Sequence, residues 1–275
     1  MIDQGTRVII TAPTFGSPIQ IALCDHFKKL FKEGEMTLRS VSDEADTQKE
    51  RLERTLRQAH PTALIAFSVR PDPDTIAAYT AAGIPIVLID EEAEGVSVIS
   101  TDNFVGGRIA GDYLIKKGKK KIAFVSGRTQ VKGGYNAEQR LKGFKHALNA
   151  AKLSIPPGCL IEVPHYSRED GVKAMPKLLD AGVDAVFCAA GDNCALGLVT
   201  VAKDRNMRIP EDVAIVGFDD LLIAQVSTPA LTTIRQPLEK IAEAAYKMVV
   251  MERDIILRNP KKAIFNPELI IRSSA

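Results

Sequence analysis

Asp212-Val213-Ala214-Ile215-Val216-Gly217-Phe218-Asp219-Asp220, followed by Pro229-Ala230-Leu231-Thr232-Thr233-Ile234, is the stretch on which the fold of this chain turns. The apolar run 213–216 predicts a strand buried on both faces, as in a parallel sheet flanked by helices. Pro210 ends the preceding helix and turns the chain into that strand. The run stops at Gly217, and two carboxylates follow directly after Phe218. In open α/β sheets, ligands bind in the crevice beyond the carboxyl ends of the strands. A carboxylate there accepts hydrogen bonds from a small polar molecule.

Working outward, strands and helices alternate along almost the whole chain. Strands are expected at 7–11, 37–41, 63–67, 86–89, 97–100, 121–125, 160–163, 185–188, 213–216, 231–234 and 268–271. Helices are expected at 19–31, 45–59 (capped by Asp43), 72–82, 104–117, 137–151, 169–181 with an interruption at Pro176, 193–206, and 238 to about 253. Repeated βαβ units imply parallel sheets with helices on both faces.

A chain of 275 residues exceeds the usual single core, so two lobes are expected. Its net charge of +2, from 36 basic and 34 acidic residues, makes no electrostatic case for nucleic acid or membrane. No apolar run approaches the roughly 18 residues that span a bilayer. The opening Met1-Ile2-Asp3-Gln4-Gly5-Thr6-Arg7 lacks a secretory pattern. Cys24, Cys159, Cys188 and Cys194 are scattered, which points to a reducing cytoplasm. His26, His60, His146 and His165 have no ligand spacing to one another or to a cysteine, so no metal is expected. No nucleophile motif, dinucleotide fingerprint or phosphate loop occurs, so neither a cofactor nor catalysis is expected. Lys116, Lys117, Lys119, Lys120 and Lys121 read as a solvated helix end.

Further pieces fall in a recognisable order: Asp102-Asn103 with the helix that follows; Lys121-Ile122-Ala123-Phe124-Val125-Ser126-Gly127; Arg140-Leu141-Lys142-Gly143-Phe144; Asp192-Asn193-Cys194-Ala195-Leu196-Gly197; and Glu268-Leu269-Ile270-Ile271-Arg272-Ser273. With the opening stretch, they make the chain resemble the lactose-repressor/galactose-repressor (LacI/GalR) family of bacterial transcription regulators over nearly its full length. The resemblance implies a periplasmic-binding-protein-like type I α/β fold: two Rossmann-like lobes, each a parallel sheet flanked by helices, with a ligand cleft between them. It sets the N-terminal lobe at 6–101 plus 237–261 and the C-terminal lobe at 102–236 plus 262–275. It also implies a homodimer that binds a small-molecule effector, sugar-like or nucleoside-like. Operator DNA would be read only through a helix-turn-helix headpiece, which this chain does not supply. The competing reading is a sugar solute-binding protein of a transport system, against which the missing secretory signal counts.

The resemblance implies effector contacts at Asp219, Arg140 and Asp192, and an aromatic contact at Tyr166. Asp220 reads as structural. Asp90, at the end of the strand 86–89, either meets ligand or caps a turn. Phe15, Ser17 and Ile19 surround the first helix start, which either offers free N–H groups to a ligand or is simply capped, with Pro18 at its first position. Gln236 lies at an expected crossover between lobes. Gly191 stands where the family often has Asn, which removes one donor and acceptor pair.

Overall fold

The computed structural model describes residues 5–41, 45–127 and 135–275; the expected cap Asp43 lies outside them. The chain divides into two compact units, Met1–Thr101 with Pro237–Phe265, and Asp102–Gln236 with Asn266–Ala275. No helix among the described residues is long and apolar enough to cross a membrane.

The first unit begins with β1 (Val8–Ala12), α1 (Pro18–Leu30), β2 (Met36–Ser40), α2 (Ala45–Ala59), β3 (Ala63–Phe67), α3 (Pro73–Ala81), β4 (Ile86–Ile89) and β5 (Ser97–Thr101). It is completed by α9 (Leu238–Tyr246), a π-helical turn (Lys247–Met251), α10 (Arg253–Arg258) and β11 (Lys262–Phe265). The strands form one parallel sheet in the order β11-β5-β4-β3-β1-β2. Alternation along β1 sends Val8, Ile10 and Ala12 to a cluster with Leu23, Phe27, Ile241 and Ala245, and Ile9 to an opposite cluster with Leu52, Leu64 and Tyr79. With both faces covered, the central strands are continuous apolar runs.

The second unit holds α4 (Asn103–Lys116), β6 (Ile122–Ser126), α5 (Tyr135–Ala150), β7 (Leu160–Glu162), α6 (Arg168–Asp180), β8 (Ala185–Cys188), α7 (Asp192–Asp204), β9 (Ala214–Asp219), α8 (Leu222–Val226), β10 (Thr232–Arg235) and β12 (Glu268–Ile270). Its sheet order is β12-β10-β9-β8-β6-β7. Phe124, Phe144, Phe187 and Phe218 fill one face, and Met175, Leu178, Leu198 and Ile215 the other. All four cysteines are buried free thiols.

Four expectations are corrected. Residues 262–265 belong to the first unit, because they form β11 and pair in parallel with β5, Lys262 beside Val98. β12 runs antiparallel to β10, a pairing that needs no crossover helix on this sheet. The single helix expected from 238 to 253 is instead α9, a π turn closed by Glu252 N–H on the Lys247 carbonyl, and α10. α6 is not interrupted: it continues through Pro176 to Asp180, with Ala174, Met175 and Leu178 holding both halves on the core.

In the second unit, α4 and α5 meet backbone against backbone. A Cβ on Gly107 would overlap the Arg140 carbonyl, and one on Gly143 would overlap the Phe104 carbonyl. Glycine is what lets the two helices approach so closely.

Candidate functional site

The carboxyl edge of the second unit's sheet is built around β9. The last strand residue and its successor, Asp219 and Asp220, both have positive φ, 104° and 57°. This backbone is costly for residues with side chains and is kept where its surroundings impose it. The two carboxylates part company there. Asp220 is bound by Arg235 Nε at 2.7 Å and Arg272 Nη2 at 2.5 Å, and Arg272 Nη1 also donates to the Leu231 carbonyl at 2.7 Å. It ties the closing segment to β9 and β10. Among the described residues, Asp219 has no arginine bonded to it; its Oδ1 instead accepts from the amide Gln236 Nε2 at 2.7 Å.

Arg140, on the second turn of α5, is fixed on three sides. Its Nε donates to Asn103 Oδ1 at 2.7 Å, its Nη1 donates to the Ala189 carbonyl at 2.8 Å, and its guanidinium lies 3.6 Å from the centre of the Phe218 ring. Stacking on an aromatic face suits a planar, weakly hydrated cation. Its charge stabilises the Asp219 carboxylate, as does the Gln236 hydrogen bond, but burial outweighs both and leaves the Asp219 pKa raised. An oriented cation and an acceptor thus share one sheet edge.

Asp192 belongs to this cluster in a different capacity from the expected one. It is completely buried at the start of α7, with Oδ1 accepting from Thr233 Oγ1 at 2.6 Å and Oδ2 from Leu221 N–H at 2.7 Å. With both oxygens engaged, it positions β10 and the turn after β9 and does not face a ligand. Burial, and then the charge of Asp219, push its carboxyl well above the ordinary range despite those hydrogen bonds.

The sign of the consequence follows from linkage. A carboxyl raised in the folded state binds more protons there than in the unfolded chain, so stability falls as pH rises from about 3.9 through the raised folded value. Asp192→Asn retains an oxygen for Leu221 and removes the buried charge. Urea unfolding at pH 5 and pH 8 is expected to show a smaller loss of stability at the higher pH in this variant than in the parent. An unchanged slope would mean that Asp192 carries its charge at no cost.

The other expected residues take various places. Tyr166 is an exposed residue with φ 57°, and its hydroxyl lies where a Cβ on Gly127 would be, directly after β6. Gln236 is buried beside Asp219. In the first unit, Asp90 follows β4 with φ 62°, is buried, and donates its backbone N–H to the Ile99 carbonyl. Ser17 is the N-cap residue of α1, with its backbone N–H 3.3 Å from Gln20 Oε1. Phe15 and Ile19 are half-buried against the first unit's core. Sequence reasoning missed Asn103 and Phe218 as the supports of Arg140. The signal for Phe218 was alternation in β9, which puts it on the α5 side beside Phe187.

Residues 112–275 match the family model of the periplasmic binding protein-like domain. The HTH-type transcriptional repressor PurR of Klebsiella pneumoniae subsp. pneumoniae is 33% identical over 197 residues, covering 70% of this chain and 56% of that protein. The chain thus spans little more than half the length of the curated relatives it matches. Among solved structures, the transcriptional regulator CelR in complex with cellobiose superposes with a TM-score of 0.83 at 26% identity, over 98% of this chain and 86% of that one. A periplasmic binding protein/LacI transcriptional regulator from Alkaliphilus metalliredigens, complexed with D-xylulofuranose, gives 0.82 at 25% identity, over 98% and 99%. With this fold and these relatives, the chain belongs to the periplasmic binding protein-like family and, within it, to the LacI-type regulators.

Proposed function

We propose that the chain is the effector-binding and dimerisation core of a cytoplasmic LacI-type regulator. In this reading it binds a small polar metabolite, sugar-like or nucleoside-like, without converting it chemically. The observation that carries the reading is the Asp219 carboxylate at the end of β9 beside a guanidinium, Arg140, that three contacts hold in place. A carboxylate and a guanidinium together serve the paired donors and acceptors of a hydroxylated molecule. Gln236 orients Asp219, and Tyr166 offers a ring face. Two solved relatives carrying sugars support the substrate class, and relatives that are repressors support control of operator DNA through a helix-turn-helix headpiece.

The test is thermal unfolding with cellobiose, D-ribose, D-xylulose, adenosine and guanosine at millimolar concentration, together with sedimentation velocity. A ligand that binds only the folded state raises Tm by mass action. The expected result is a clear rise with at least one compound and a dimer at tens of micromolar protein. No rise with any compound would defeat the effector reading. A monomer at that concentration would defeat the dimerisation part.

A further inference from the structure

We infer that the second unit carries a separate binding site for a small apolar carboxylate, at the edge of its sheet opposite Asp219. A cavity of about 360 Å³ lies between the last turns of α5 and the loop that leads into β7. Its size falls within the range of small-molecule sites. β6 and β7 are parallel, so the helix that joins them runs back from the carboxyl to the amino ends of the strands. Arg140 stands near the start of that helix and the cavity at its end, and the cavity takes no residue from the Asp219 cluster.

The walls are apolar and held from behind. Lys145, Leu148 and Asn149 lie three and four residues apart on one face of α5, and Leu148 is rooted in the aromatic core. The loop contributes Ile155, which packs against the cores on both faces of the sheet, and Pro156 and Pro157, whose rings fix their backbone. Cys159 N–H closes that turn on the Pro156 carbonyl at 3.0 Å. Leu160, on the edge strand β7, completes the lining as an exposed large apolar side chain. Walls fixed in this way spare a ligand most of the cost of ordering them.

The polar groups of the lining are unspent. The end of α5 does not need them, because the N–H groups of Ala151, Lys152 and Leu153 already bond the carbonyls of Ala147, Asn149 and Leu148. Lys142 is paired with Glu138 at 2.7 Å, whereas the residues four before and four after Lys145 are Leu141 and Asn149. Among the described residues, Lys145 has no ion pair, and the side chains of Asn149 and Ser154 have no hydrogen bond. An exposed lysine alone is an ordinary solvated cation. This one borders an apolar cavity beside an amide and a hydroxyl, so the complementary ligand is amphipathic. It lays a ring or short alkyl chain on Leu148, Ile155 and Leu160 and sets one carboxylate against Lys145, with Asn149 and Ser154 donating to its oxygens. A phosphate suits the site less, because there is a single cation and the negative end of the α5 dipole is close by.

The experiment titrates the isotope-labelled chain with phenylacetate, phenylacetamide and phenyl phosphate, and follows the backbone amides by NMR. Phenylacetate is expected to shift Lys145, Asn149 and Leu160 most. It should bind about threefold or more tighter than either analogue, the scale of a partly exposed charge pair. Lys145→Met is expected to abolish the preference for acid over amide, and Lys173→Met, on the exposed side of α6, to keep it. If Lys145→Met fails to fold, the parent's shift map and its acid-to-amide ratio decide. The inference is overturned by equal binding of acid and amide to the parent, by a preference that survives Lys145→Met, or by shifts centred on Asp219. It is likewise overturned if phenylacetate does not bind at up to about 20 mM. Each of these results leaves the effector reading standing, since that reading is tested with other compounds.

Discussion

Replacing Asp219 by alanine is expected to weaken effector binding about ten- to a hundredfold, because hydrogen bonds to charged groups are worth roughly 1.5–3 kcal/mol. Arg140→Ala should cost a similar factor, since it removes the ligand's cation and also the charge that favours ionised Asp219. The double variant is expected to lose less than the product of the two, because interacting groups are not additive. Folding is a built-in control. Asp219 burdens the fold with a partly desolvated charge and raises the carboxyl of its neighbour Asp192. Asp219→Ala should therefore melt no lower than the parent. Calorimetry with unchanged affinity in both single variants would remove this cluster from the binding site.

Gly143→Val is expected to abolish folding of the second unit, or to lower Tm by roughly 10 °C or more. The seat of the effect is α5 against α4. Even the first added carbon would overlap the Phe104 carbonyl, which is backbone and cannot swing away. Separating the helices would loosen Phe144 and Leu148 from the aromatic core behind them. Gly16→Ala is the matched control. Its Cβ would meet only the Thr14 hydroxyl, at 3.4 Å, and a near-parental melt is expected. Circular dichroism melting curves compare the two. A Gly143→Val protein melting within a few degrees of the parent would contradict the close α4–α5 approach.

The parts of the fold that were legible in the sequence are those where burial is two-sided. Ile215 and Val216 go to opposite faces of one sheet, and both must be apolar. β11 was missed for the complementary reason. Lys262-Ala263-Ile264-Phe265 is an edge strand with two of its four residues exposed, and its pattern resembles a loop. At the site, Asp219 was readable from its place after an apolar run, whereas Arg140 stood out only through resemblance, its lone position on a helix being unremarkable. Asp192 was misread because a carboxylate at a helix start normally faces water. Its burial depends on Gly217, where any side chain would collide with Asp192 Oδ1, and that is a three-dimensional fact. The π turn after Tyr246 has no sequence signature that we can name.

The first unit takes its last elements from residues 237–265, which follow the main body of the second unit along the chain. Ile241, Ala242, Ala245, Met248 and Val249 cover the face of the first sheet that carries Val8, Ile10, Ile65 and Val87. During synthesis at roughly 5–20 residues per second, that face has only α1 to cover it for on the order of ten seconds. The second unit, which carries Arg140 and Asp219, meanwhile emerges with all but its antiparallel edge strand. The nascent first unit is thus the part of this protein most exposed to mispairing and chaperone capture on the ribosome.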